Sequence, residues 1–179
     1  MSFELRSPAF RDYGLLPGEY LRTSPPLEWT EPPEGTRSLA LIAEKRPKLH
    51  APWTEALEGE PETYWLAWGL PPRAGKLDAG VSLLREGTGS AGRIGYSMEP
   101  PLEKGHRRVI VFRLVALSEE IDLPRGAGRM ELLQACAGLV LDEADLEVIE
   151  EPGRPRIFEL LTWPPGVRRP GPPAPRRGR

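Results

Sequence analysis

Three adjacent side chains that can carry positive charge, His106, Arg107 and Arg108, stand directly before a run of strand-forming apolar residues. A guanidinium presents a planar fork of N–H donors that fits a carboxylate or a phosphate, and each such hydrogen bond is strengthened by charge. Pro100-Pro101 would stiffen the loop ahead of this cationic block, and Gly105 would let the chain turn and present it. The block therefore predicts an anion site.

The same arginines allow a second interpretation. Glu99 and Glu103 are close to them in sequence, and charged loops commonly form ion pairs of this kind at a protein surface. In that case the cations would be structural, and the sequence leaves both interpretations open.

Motifs that indicate catalysis or metal binding are absent from the sequence. It holds no G-x-S-x-G and no HExxH motif, and two histidines with one cysteine leave few candidates for a metal cage or a nucleophile–base pair. GTGSAG at 87–92 matches G-x-G-x-x-G, but RIGYSMEPP follows where a dinucleotide site requires a helix, so we interpret its glycines as turn residues. We predict a protein that is not an enzyme and has neither a cofactor nor a metal.

Composition narrows the class of protein further. A chain of 179 residues suffices for one domain with appendages, and its net charge of -2 gives no general affinity for nucleic acid. The start MSFELRSPAF lacks the pattern of a signal peptide, and no apolar run approaches the roughly 18 residues that span a bilayer. We therefore expect a cytoplasmic protein without a transmembrane segment. Twenty arginines against four lysines, with 22 prolines, indicate either a thermophilic source or a G+C-rich genome.

Strand patterns dominate the first two thirds of the chain. Short, nearly continuous apolar runs at 38–43, 63–70 and 108–117 are bounded by proline, glycine or charge, which predicts strands buried on both faces. Residues 144–150 alternate instead, with Leu146 and Val148 on one face, as in a half-buried antiparallel strand. These patterns and the Pro/Gly connections predict an all-β sandwich.

One helix is predicted over about 129–141. Its apolar residues fall on a single stripe, so the cysteine among them is expected in the core. The stripe consists of Leu132, Leu133, Cys136, Leu139 and Val140. A short helical turn is also predicted at 52–59, between Pro52 and Gly59.

The C-terminal residues 152–179 differ in composition from the domain predicted over 1–151. They hold seven arginines and one acid, a net charge of +6, and are rich in proline. Such a segment cannot build a core of its own, although IFELLTW at 157–163 is apolar enough to dock on the domain. We interpret 152–179 as a basic Pro/Arg-rich extension.

Seven phrases of the sequence, in order, resemble the phosphatidylethanolamine-binding protein family, in particular its bacterial and archaeal Raf kinase inhibitor-like branch. They are SPAF (7–10), TSPPLEW (23–29), PEGTRSLALIAE (33–44), YWLAWGLP (64–71), GY and PP (95–101), FRLVAL (112–117) and IDLPRGAGRMELLQACAGLVLDEADL (121–146). The resemblance implies a sandwich of antiparallel sheets with Greek-key connections and a helix near the C-terminus. It also implies an anion pocket at one end of the sandwich.

The residues that would form that pocket depart from the family pattern. Lys45 and Arg46 stand where the resemblance implies two acids, and Tyr64-Trp65 replaces a His-Trp pair. Pro100-Pro101 matches the family's Pro-Pro loop. A gapless match places Arg108 at the family's second histidine, whereas one inserted residue matches His106-Arg107 to its His-Arg pair. The resemblance thus predicts an altered or blocked pocket that includes all of these residues.

Two functions follow from these patterns. The first is a non-enzymatic module that binds a small anionic ligand, carrying phosphate or carboxylate, at the altered pocket. The alternative is a protein-interaction or regulatory protein, similar to a kinase or protease inhibitor, whose ligand pocket is degenerate. A protein partner and a homodimer both remain open, since a fold alone decides neither.

Overall fold

The computed structural model describes residues 2–46 and 61–152 of the chain. These residues form eight strands and one α-helix, besides a short 3₁₀ helix at Gly18–Leu21. The elements in chain order are β1 (Leu5–Arg6), β2 (Gly14–Leu15), β3 (Leu27–Trp29), β4 (Ser38–Lys45), β5 (Thr63–Leu70), β6 (Gly75–Leu77), β7 (Arg108–Leu117), α1 (Arg129–Cys136) and β8 (Val140–Glu150). The predicted turn at 52–59 and residues 153–179 of the extension lie outside the described residues.

The strands form two sheets, and the chain passes between them several times. One sheet has the order β1-β3-β6 and the other the order β2-β8-β7-β4-β5. Every named pair is antiparallel except that of β2 with β8, which is parallel. The predicted β-sandwich with one helix is therefore confirmed, and the parallel pair modifies it only at one edge, where a two-residue strand pairs with the free backbone groups of β8.

The central strands are apolar because both of their faces are buried. Between the sheets, Leu41 of β4, Trp65 of β5 and Phe112 of β7 pack against small-sheet residues such as Trp29. The opposite face of the large sheet packs against α1 in a second core cluster. The predicted strands at 38–43, 63–70 and 108–117 all occur, and the continuous apolar runs reflect this three-layer arrangement.

The helix is shorter than predicted. It begins at Arg129 as expected but ends at Cys136 rather than near 141. Ala137 leaves the helical conformation with ψ 125°, and Gly138 adopts a left-handed φ of 78°, so the chain turns and β8 begins at Val140. Cys136 is fully buried as predicted, whereas Val140 belongs to the strand and is exposed.

Candidate functional site

A cleft of about 650 Å³ opens at the end of the sandwich where β8 finishes. Its walls come from the end of the 3₁₀ helix, from the loop that follows Met98, and from the last residue of β8. The lining residues are Leu21, Arg22, Ala91, Met98, Glu99, Pro100, Pro101, Leu102, Glu150 and Pro152. The predicted Pro100-Pro101 pair therefore lies in the cleft wall.

Arg108 lies buried beside this cleft. It is the first residue of β7 and is the register partner of Glu150 at the end of β8, so the two side chains emerge on the same face of the sheet. The Nε–H donates to the Glu150 carboxylate, and the terminal nitrogens donate to the carbonyl oxygens of Met98 (3.0 Å) and Pro100 (3.2 Å). The side chains of Arg108 and Glu150 are only 3% and 4% exposed.

Tyr64 and Glu62 complete the surroundings of this guanidinium. Its central carbon lies 4.9 Å from the centre of the Tyr64 ring, and one terminal nitrogen donates to the Tyr64 hydroxyl at 3.1 Å. The same nitrogen lies 3.4 Å from Glu62 Oε2, to which the Tyr64 hydroxyl donates at 2.7 Å. That hydrogen bond lowers the pKa of Glu62, and burial raises the pKa of Tyr64.

The two acids in the cleft wall each have an arginine partner. Glu150 pairs with Arg108, and Glu99 pairs with Arg93 at 3.2 Å. The third charged residue of the wall, Arg22, is exposed and has no ion pair among the residues that the structure describes. Arg22 thus leaves the cleft wall with an uncompensated positive charge.

The sequence model of the phosphatidylethanolamine-binding protein family matches residues 6–150, which include all the strands beyond β1 and every residue of the cleft wall except Pro152. The chain belongs to this family. A relative in Methanothermobacter thermautotrophicus, a UPF0098 protein, is 33% identical over 153 residues, which cover 79% of this chain and 94% of the relative. A UPF0098 protein of Aquifex aeolicus is 30% identical over 131 residues, 69% of this chain and 71% of that one.

Solved structures agree with this membership. The crystal structure of a phosphatidylethanolamine-binding protein homologue from Chlamydia trachomatis, CT736, superposes with a TM-score of 0.71 at 27% identity and covers 84% of this chain and 97% of its own. YbcL of E. coli gives a TM-score of 0.69 over 84% of this chain and 99% of its own. At 16% identity, the likeness to YbcL shows the fold alone.

The phosphatidylethanolamine-binding protein fold brings Tyr64 and Arg108 together and leaves the neighbouring cations outside. His106 and Arg107 are exposed and are not among the described residues that line the cleft. It is Arg108, the residue of the gapless match, that touches Tyr64. An anion contact of the exposed pair stays a prediction.

Lys45 and Arg46, expected in place of the family's acids, stand at the exposed end of β4. Lys45 Nζ lies 3.5 Å from Glu62 Oε1, and Arg46 donates to Glu147 at 3.0 Å. Both cations are thus paired with acids, Lys45 with Glu62 just before β5 and Arg46 with Glu147 of β8, and neither lines the cleft. Lys45 still adds to the charge around Glu62, whose pKa it helps to lower.

Trp65, the second half of the replaced family pair, is fully buried in the core, and a ligand contact of this residue stays a prediction. Its indole Nε1 donates to Glu86 at 2.9 Å, and its ring meets Tyr96 edge to face at 5.6 Å. Glu86 in turn lies 3.8 Å from Arg125. The single N–H donor of the Trp65 indole is therefore already bonded within the fold.

Sequence reasoning missed three charged residues: Arg22, Glu62 and Glu150. A signal for Glu150 was present, because it continues the inward alternation of Leu146 and Val148 in β8 and is itself buried. Nothing in the local pattern marks Glu62 or Arg22.

Within residues 2–46 and 61–152, no three or more His, Cys, Asp or Glu side chains form a group that could hold a metal ion. Over the same residues, the helices are too short or too polar to cross a membrane.

Proposed function

We propose that this member of the phosphatidylethanolamine-binding protein family is a non-enzymatic module whose end cleft binds a small anionic ligand with an apolar body. The observation that carries the proposal is the charge of the wall: both acids are neutralised by arginines, while Arg22 has no ion pair among the described residues. A carboxylate or phosphate at Arg22 would form charge-assisted hydrogen bonds with its guanidinium.

The rest of the wall suits an apolar body. Leu21, Met98 and Leu102 line the cleft together with three prolines. The volume of about 650 Å³ lies within the range of small-molecule sites. A ligand with a charged end and a short hydrocarbon chain therefore fits both features.

The absence of catalysis is part of the proposal and rests on two residues. His106, the one histidine in the described ranges, is exposed. Burial raises the pKa of Cys136, the one cysteine of the chain, to about 11. A nucleophile–base pair needs an activated nucleophile within hydrogen-bond reach of a base, and the exposed imidazole and the buried thiol do not form one.

The test is calorimetric titration of the protein with hexanoate, hexanol, inorganic phosphate and phosphoethanolamine. We expect hexanoate to bind about tenfold more tightly than uncharged hexanol, because a charge-assisted pair adds on the order of 1.4 kcal/mol. Arg22→Ala should remove that difference and leave hexanol unchanged, and added salt should weaken hexanoate alone. Arg37→Ala, an exposed arginine outside the cleft, is the matched control.

Two outcomes would contradict this assignment. If Arg22→Ala binds hexanoate as tightly as the parent, Arg22 is not the anion contact. If Arg107→Ala instead abolishes binding, the anion is held by the exposed block, as first predicted from the sequence.

The second candidate is an interaction protein with a degenerate pocket. One observation favours it: Arg108, at the position of the family's second histidine in the gapless match, has its positive charge already engaged by Glu150 and Glu62. This candidate gains if the parent binds none of the four ligands at millimolar concentration.

A further inference from the structure

We infer that Glu150 serves as an internal anion. Its carboxylate occupies the anion site that the Arg108 guanidinium would otherwise present to the cleft, and it thereby determines where in the cleft a ligand can place its own negative charge. Glu150 is thus a specificity-determining residue.

The first support is the chemistry of the buried guanidinium. Arg108 is 3% exposed, and a buried charge of this kind is stable only when its donors are paired with acceptors. Two of its partners are neutral carbonyl groups, those of Met98 and Pro100. The negative charge comes from Glu150 at Nε and from Glu62 at 3.4 Å, and the Glu62 side chain is 38% exposed.

The second support is the position of Glu150. It belongs to the cleft wall while its carboxylate accepts the Nε–H of Arg108, so it is the acidic group that contacts both the cleft and the guanidinium. A second buried pair gives a contrast. Arg129 of α1 donates to Glu44 of β4 at 2.7 Å, and neither residue lines the cleft.

The consequence for a ligand rests on the proposed function. With Glu150 in place, the Nε–H of Arg108 is already paired, so a carboxylate or phosphate would have to displace the Glu150 carboxylate to take that charge-assisted hydrogen bond. The ligand's anionic group is therefore directed to Arg22, and the end that reaches Glu150 must be uncharged or a hydrogen-bond donor. The occupation of Arg108 itself does not depend on that function.

The test removes the internal anion and supplies it from solution. Glu150→Ala deletes the Cγ methylene and the carboxylate, which together have the size and charge of acetate. We expect the variant to have a lower Tm than the parent and to regain about 3 °C or more in acetate at ten times its dissociation constant, because a ligand of the folded state raises Tm. Sodium chloride at equal ionic strength and the neutral analogue acetamide should not have this effect.

Three further variants decide what the acetate binds. Glu150→Ala combined with Arg108→Gln keeps the space and removes the cation, so acetate should no longer stabilise it. Glu150→Gln keeps the space filled and should gain nothing from acetate. Glu44→Ala removes the carboxylate partner of the other buried arginine, Arg129, which does not line the cleft. Its Tm should likewise not rise specifically in acetate.

The inference is overturned if Glu150→Ala responds to acetate no more than to chloride, or if the double variant or Glu44→Ala responds as strongly. If Glu150→Ala folds only with acetate present, the inference is supported; if it folds in neither salt, Glu150 is a structural partner and the inference fails. A parent that binds no hexanoate would refute the proposed function and leave this result standing.

Discussion

The hydroxyl of Tyr64 connects two charges beside the cleft. It donates to Glu62 at 2.7 Å and accepts from Arg108 at 3.1 Å. We predict that Tyr64→Phe lowers the free energy of unfolding at pH 7 by about 2 kcal/mol, because buried hydrogen bonds to charged groups contribute about 1.5–3 kcal/mol. Urea unfolding measures the change.

This prediction has a pH signature. The hydrogen bond lowers the pKa of Glu62 from its ordinary 4.5, so its stabilising effect is present above pH 4.5 and is lost as pH falls through the lower folded-state pKa. In Tyr64→Phe that pKa should rise, and the difference from the parent should shrink in acid. Tyr96→Phe, which loses a hydrogen bond to the Tyr20 carbonyl, is the control and should leave the pKa of Glu62 unchanged in an NMR titration. An unchanged pKa in Tyr64→Phe would contradict the assignment.

At this residue scale, the sequence named candidate side chains but not their partners, and a ligand-binding role for those candidates stays a prediction. Tyr64 and Arg108 were both candidates, and they are in contact. The acidic partner of Arg108, Glu150, is 42 residues away in sequence, and the pairing of β7 with β8 brings it there. Partners set by strand register are invisible to a local pattern, which is why the site residues could not be fully predicted.

Besides the buried Arg129–Glu44 pair, an apolar contact holds helix α1 on the large sheet. Leu132 and Cys136 are fully buried there, whereas Met130 is 45% exposed. We predict that Leu132→Ala lowers the free energy of unfolding by about 3 kcal/mol, in the range for a buried leucine, and that Met130→Ala changes it by less than about 0.5 kcal/mol.

The single cysteine reports the same contact independently. Because Cys136 is buried and its pKa is raised to about 11, a thiol reagent should label it only after the helix opens. Leu132→Ala should therefore accelerate labelling and Met130→Ala should not. Rapid labelling of the parent would show that the helix is not docked as described.

The strands were predictable and the end of the helix was not. A continuous apolar run such as 108–117 reflects burial on both faces, and its predicted bounds match β7. The apolar stripe of the helix continued through Leu139 and Val140, but Gly138 takes a left-handed conformation and stops the helix first. Here a single glycine outweighed the periodicity that the prediction followed.

The whole molecule shows why the fold was easier to predict than the ligand. Family membership rests on residues 6–150 and accounts for the sandwich, whereas the end cleft is a feature of this structure. The cleft chemistry rests on a few charges, of which Arg22, Glu62 and Glu150 were not foreseen. The two core clusters contain none of these three charges, so the features that define the fold do not reveal them.

The boundary of the domain gives the last prediction. Among the described residues, the two core clusters extend from Phe3 to Val148, and β8 ends at Glu150. We therefore expect a chain cut after Pro152 to unfold in urea with the same free energy as the full chain, within the roughly 10–15% uncertainty of the extrapolation. The m-value decides between explanations if the two differ, because it scales with the surface exposed on unfolding. A lower free energy together with a lower m-value would show that residues beyond 152, such as the apolar 157–163, bury surface on the domain and that the domain extends past the predicted boundary at 151.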